Sequence, residues 1–107
     1  IGTYDMERKK IFLSDTIIPT DNSEYPTFFY RGIGGLKNEL ERIRKTTSNM
    51  LTYVGEWHSH PKGCSILPSR DDMKLLAWLS NNMSVEGLPA LMLILGDNNT
   101  FTICFAE

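Results

Sequence analysis

The chain has 107 residues, of which 11 are basic and 13 acidic, for a net charge of −2, and 41% are hydrophobic. This is the composition of a globular protein. It excludes disordered, collagenous and coiled-coil chains, and the length suits one domain over residues 1–107 with a modest core. No basic stripe marks a nucleic-acid surface, the longest apolar stretch, around Leu88–Leu95, falls far short of the roughly 20 residues of a membrane span, and two cysteines make no disulfide framework, so a reducing cytoplasm is expected.

In chain order, Ile1–Tyr4 reads as the end of a strand, and since it opens within an apolar run, residues upstream of Ile1 are expected. Asp5–Lys10 is a polar turn, and Ile11–Ile18 a strand stopped by Pro19. A polar loop covers 19–27, Glu24 in it being solvated, and Phe28-Phe29-Tyr30 forms a short strand before Gly32, Gly34 and Gly35 break the chain. The spacing of Leu36, Leu40 and Ile43 predicts a helix over Leu36–Thr47, with Glu39, Glu41, Arg42 and Arg44 on its solvated face. Leu51–His60 is a strand and Lys62–Pro68 an irregular loop. Ser69 then caps a second helix over Arg70–Asn82, with Met73, Leu76, Ala77 and Leu79–Met83 facing inward. Strands over Ala90–Leu95 and Thr100–Phe105, joined by Gly96-Asp97-Asn98-Asn99, complete a mixed α/β order.

The chemistry concentrates between Glu56 and Asp72. The two histidines of the chain, His58 and His60, are separated by one residue at the end of a strand pattern, and strand alternation puts both imidazoles on one face. Two imidazoles converging on a point call for a metal ion or a carboxylate between them, and a catalytic zinc takes three protein ligands plus a water. With no third histidine, the third ligand is an Asp, a Glu or a Cys. Asp71 and Asp72 open the second helix, where carboxylates also complement the helix dipole. Cys64 lies in the loop after the histidines, and Cys104 reads as a core strand residue. Glu56 shares the strand parity of the histidines, while Trp57 has the opposite parity and is expected in the core.

Gly55-Glu56-Trp57-His58-Ser59-His60-Pro61 followed by Ser69-Arg70-Asp71-Asp72 resembles the His-Ser/Thr-His-Pro … Ser-x-x-Asp signature of the JAMM (MPN+, JAB-type) metallopeptidases, with one residue more between His60 and Ser69 than in the commonest form. The Phe28–Tyr53 region resembles the prokaryotic JAB branch. The resemblance implies an α/β (α+β) fold of the JAMM/cytidine-deaminase type, a mixed β-sheet flanked by helices, here expected without its first strand. It implies zinc (Zn2+) held by His58, His60 and Asp72, with Asp71 as the fallback, and a Ser69 hydroxyl contacting the bound water or the developing oxyanion. Family members also use a glutamate as general base, which the resemblance places upstream of Ile1. Glu56 then orients a ligand rather than serving as the base.

For function, the resemblance implies hydrolysis of an isopeptide or peptide bond after the C-terminal glycine of a ubiquitin-like protein, with such a protein or its conjugate as partner. Proteins of this kind resemble the deconjugating proteases found beside activating (E1-like) and conjugating (E2-like) enzymes in the CBASS anti-phage systems. Two alternatives go with this reading: a protease processing a sulfur-carrier protein or a peptide tail, and a non-catalytic binding module of the same fold. The intact ligand set speaks for an enzyme. The absence of the family glutamate from these residues speaks for a module, and the sequence upstream of Ile1 discriminates between them.

Overall fold

The computed structural model describes residues 1–19 and 34–107, together with the backbone of Ser23–Glu24 and Phe29–Tyr30. The rest of the loop expected over 19–27, the setting of Glu24, and Phe28, Arg31 and Gly32 lie outside the described residues. Contacts group the chain into two units, Ile1–Val54 and Gly55–Glu107. Among the described residues no helix is long and apolar enough to cross a membrane.

In the first unit, β1 (Gly2–Asp5) pairs antiparallel with β2 (Lys10–Leu13), Gly2 opposite Leu13 and Asp5 opposite Lys10. The Asp5 carboxylate accepts the Arg8 N–H at 3.0 Å, and Lys9 closes the turn at φ 55°. β2 ends at Leu13, well short of the expected Ile18. Past Leu13 the one-to-one register is lost: the Ser14 and Asp15 N–H groups both donate to the Ile1 carbonyl, at 2.9 and 3.3 Å, and the Asp15 carboxylate then turns to the Thr16 N–H at 2.8 Å. On the other side of β1, Gly2 and Thr52 exchange backbone hydrogen bonds of 3.0 and 2.9 Å. β3 (Ser23–Glu24) and β4 (Phe29–Tyr30) form a short antiparallel pair. Helix α1 (Leu36–Thr46) follows Gly35, whose φ of 74° suits glycine at this cap. Leu36, Leu40 and Ile43 are half-buried on it, while Glu41, Arg42 and Arg44 are exposed.

The second unit is a three-stranded sheet with one helix. β5 (Gly55–Ser59) runs parallel to β6 (Ala90–Leu95), and β6 pairs antiparallel with β7 (Phe101–Ala106). A parallel pair needs a crossover, which α2 (Arg70–Ser84) supplies. β5 is shorter than the expected Leu51–His60 because its ladder starts only where Gly55 meets Leu91. Pro89, before β6, has no N–H for a ladder bond. The hairpin between β6 and β7 turns on Asn98 and Asn99, both left-handed at φ 54° and 60°, as expected for two asparagines in a tight hairpin.

Leu76 and Leu79 of α2 are buried together with Ala90, Met92 and Ile94 of β6. The inward stripe of α2 is narrower than expected: Ala77, Asn81 and Asn82 are exposed because at 100° per residue they fall off the face of Leu76, Leu79 and Met83, and Met73, which keeps the spacing one turn earlier, is exposed as well. Trp57 and Cys104, both expected in the core, are half-buried. Strand register puts Glu56, Met92 and Cys104 in one row across the sheet and His58, Ile94 and Thr102 in the next, all on the same face.

Candidate metal centre

Two local features bring three side chains together. The first is the end of β5. His60 lies one residue past the strand, yet its N–H still donates to the Leu95 carbonyl at 2.9 Å. The strand geometry thus continues to His60, and its ring falls on the same face as that of His58. The Nε2 atoms of the two rings are 3.3 Å apart.

The second feature is the start of α2. Ser69 is its N-cap, with a reciprocal capping box: Asp72 N–H donates to Ser69 Oγ at 3.1 Å, and Ser69 N–H donates to Asp72 Oδ2 at 2.8 Å. The box fixes the carboxylate and aims it at the histidines. Asp72 Oδ1 is 2.9 Å from His58 Nε2, and Oδ2 is 3.0 Å from His60 Nε2. The three side chains are only 12–15% exposed.

His60 is oriented from behind. Its Nδ1 lies 2.6 Å from the Ser65 carbonyl, which can only accept, so Nδ1 carries the proton. In neutral His60 the Nε2 lone pair then points into the cluster, at a carboxylate oxygen that also only accepts. Lone pairs converging in this way are the arrangement a cation satisfies. A tetrahedral zinc site with bonds of about 2.0–2.1 Å has ligand–ligand edges of about 3.3–3.4 Å. The 3.3 Å between the histidine nitrogens matches that edge, and the distances to Asp72 fall slightly inside it.

The electrostatics keep these groups in their ligating forms. Burial pushes the His58 imidazole below its ordinary value and outweighs the opposing pull of Asp72. Burial acts on Asp72 in the other direction, but the Ser69 N–H, the charge of His58, the Ser69 hydroxyl and His60 together hold its carboxyl below the usual carboxylate value. A neutral imidazole and an ionised carboxylate are what a metal ion requires.

Among the described residues, the donor group that can hold a metal ion consists of His58, His60 and Asp72. Asp71, one residue earlier on α2, is exposed and outside the group. Ser69, which caps the helix, is exposed beside it. Cys64 is exposed in the loop and outside the group. Glu56 has a fully enclosed carboxylate oxygen on the sheet face of His58, and its charge acts on that ring, but it too lies outside the group. The Ser65 carbonyl is the contact that sequence reasoning missed. A backbone oxygen leaves no residue-type signal, and the loop carrying it reads only as irregular.

Residues 7–105 match the family described as prokaryotic homologs of the JAB domain. The chain is also 37% identical over 97 residues to a CD-NTase/cGAS isopeptidase of Enterobacter hormaechei subsp. hoffmannii (strain UCI 50), an alignment covering 90% of this chain and 52% of that protein. The chain thus spans about half the length of that relative. No solved structure matches it. With nearly the whole chain matched, the chain belongs to the prokaryotic homologs of the JAB domain.

Proposed function

We propose that the protein is a zinc-dependent isopeptidase that cuts after the C-terminal glycine of a ubiquitin-like protein and so removes it from its conjugates in a bacterial anti-phage pathway. The observation that carries the reading is the convergence of His58, His60 and Asp72 in a chain of the JAB family. The likeness to a CD-NTase/cGAS isopeptidase supports the deconjugating role and the conjugate as partner. On the same likeness, the activating (E1-like) and conjugating (E2-like) enzymes of such a pathway are proposed as further partners.

His58 and His60 would hold zinc through Nε2 and Asp72 through its carboxylate. When bound there, zinc lowers the pKa of a coordinated water to about 7 and polarises the scissile carbonyl. The residues of the chain do the positioning. The Ser65 carbonyl fixes the His60 tautomer, and the capping box fixes Asp72. Ser69 Oγ accepts the Asp72 N–H and its hydroxyl bears on the Asp72 carboxylate; turned away from that carboxylate, the hydroxyl would donate to a developing oxyanion.

The test is hydrolysis of a conjugate, or of a linear fusion, of the cognate ubiquitin-like protein by the full-length protein. Cleavage directly after the terminal glycine, abolished by chelator and restored by zinc, is expected. Chelator-insensitive cleavage would sink the metallopeptidase reading. Tight binding of the conjugate by a zinc-loaded protein that cuts nothing would replace the enzyme with a docking module.

A further inference from the structure

The loop between His60 and Ser69 carries the carbonyl that sets the His60 tautomer, and the β6–β7 turn grips this loop on both sides of that carbonyl. Pro61 to Cys64 forms a tight turn, Cys64 N–H donating to the Pro61 carbonyl at 3.0 Å with Gly63 at φ 80°. The turn leaves the Gly63 N–H pointing outward, where the Asp97 carboxylate accepts it at 2.9 Å across 34 residues of sequence. Three residues on, Ile66 packs its methyl group where a Cβ of Gly96 would stand. Gly63 and Ile66 bracket Ser65, and their partners, Asp97 and Gly96, are adjacent in the hairpin turn. That turn is itself closed by Thr100 donating to the Asp97 carbonyl from its N–H at 3.0 Å and its hydroxyl at 2.6 Å.

We propose that Asp97 is a positioning residue of the metal centre: by holding Gly63 it keeps the Ser65 carbonyl against His60 Nδ1 and so keeps the His60 Nε2 lone pair directed at the metal. The inference rests on the zinc reading above for its consequence, but its first link is a proton position that needs no metal. Which ring nitrogen of a histidine carries the proton is set by the hydrogen bond the other ring nitrogen makes. With the Ser65 carbonyl displaced, the proton is free to move to Nε2, the atom that must be bare to ligate. Asp97→Asn keeps a side-chain oxygen that can accept from Gly63, whereas Asp97→Ala does not. Gly96→Ala disturbs the other anchor by driving a methyl group into Ile66 and the Thr100 hydroxyl.

The experiment records the ring nitrogen shifts of His60 by NMR in the metal-free, full-length protein at alkaline pH, and zinc affinity by competition with a chelator. The wild type and Asp97→Asn are expected to hold the proton on Nδ1 and to bind zinc alike. Asp97→Ala and Gly96→Ala are expected to shift the proton toward Nε2 and to raise the zinc Kd by about tenfold, the low end for groups that orient a metal ligand. Unchanged backbone amide signals of Gly55–Trp57 report an intact β5 in each variant, and Gly96→Ala reads the same relationship if Asp97→Ala does not fold. An Asp97→Ala protein with the wild-type His60 signature and wild-type zinc affinity overturns the proposal. A wild type that binds no zinc overturns the zinc reading, while the ring shifts still decide the role of Asp97.

Discussion

Asp72 Oδ2 is shared by two structures: it accepts the Ser69 N–H at 2.8 Å as part of the α2 cap, and it stands 3.0 Å from His60 Nε2. One oxygen therefore ends the helix and faces the second histidine. The consequence is a separable pair of variants. Asp72→Asn keeps an oxygen for the Ser69 N–H but removes the charge. Its stability is expected to stay within about 1 kcal/mol of wild type, because the cap survives. Asp72→Ala loses cap and ligand together. Urea denaturation of the metal-free proteins separates the two effects, and zinc titration is expected to show loss of tight binding in both.

The donor geometry also predicts which residues matter for stoichiometry. His58→Ala, His60→Ala and Asp72→Ala are each expected to abolish stoichiometric zinc binding, since three protein ligands are the minimum for a catalytic zinc site. Asp71→Ala is expected to retain one zinc per chain, because Asp71 is exposed and outside the donor group. Metal analysis of the four purified variants decides it. Full occupancy in Asp72→Ala with loss in Asp71→Ala would shift the ligand register by one residue.

Ser69 has a structural and a proposed chemical part to play, and they respond differently to substitution. Ser69→Ala removes the acceptor for the Asp72 N–H and is expected to cost about 1 kcal/mol of stability, as N-cap losses do. Its backbone N–H still reaches Asp72 Oδ2, so zinc affinity is expected to change little. If the hydroxyl contacts the developing oxyanion, kcat falls by about 100-fold while the zinc stoichiometry holds. Equal kcat in Ser69→Ala and wild type would confine Ser69 to capping.

Much of this centre was legible in the sequence because its signals are local. The spacing of His58 and His60 needs only strand alternation, and Ser69 three residues before Asp72 is a capping pattern written in four residues. What was not legible depends on distant contacts or on backbone. The length of β5 is decided by where it meets β6, more than 30 residues later, and the end of β2 by how Ser14 and Asp15 meet the Ile1 carbonyl across the hairpin. Met73 fits the apolar spacing of α2 yet is 52% exposed, since the spacing does not say where the buried stripe ends. The grip of Asp97 on Gly63 joins two segments that each read as ordinary turns.

The pH dependence of stability follows from His58 and Asp72. Burial holds His58 below its ordinary 6.5, and the net effect of its surroundings holds Asp72 below its ordinary 3.8. In both cases the unfolded chain binds its proton at a higher pH than the folded one, so stability rises with pH across each window. The contribution of His58 is complete above 6.5 and declines as the pH falls toward its folded value; that of Asp72 is complete above 3.8 and declines below it. The urea midpoint of the metal-free protein is therefore expected to drop as the pH falls below 6.5 and again as it falls below 3.8. His58→Ala should flatten the upper limb and also shrink the lower one, because the charge of His58 helps hold Asp72 down. An upper limb of the same size in His58→Ala would assign it elsewhere.

Gly55 tests whether the sheet register carries the site. A Cβ there would meet the backbone carbonyl of Leu91, its partner across the parallel pair, and the Leu91 Cβ at 2.9 Å. Neither can swing aside as a flexible side chain would, so β5 must shift against β6. Gly55→Ala is expected to cost about 1–3 kcal/mol, as overpacking does. Because His58 lies three residues along the same strand, zinc affinity should fall with it. Gly87→Ala is the control. Its φ of 71° makes alanine strained, but a Cβ there meets nothing within 4 Å. It should lose about 1–2 kcal/mol through the backbone alone and bind zinc as the wild type does. Equal zinc affinity in both variants, at matched stability loss, would show that the histidines tolerate a shift of β5.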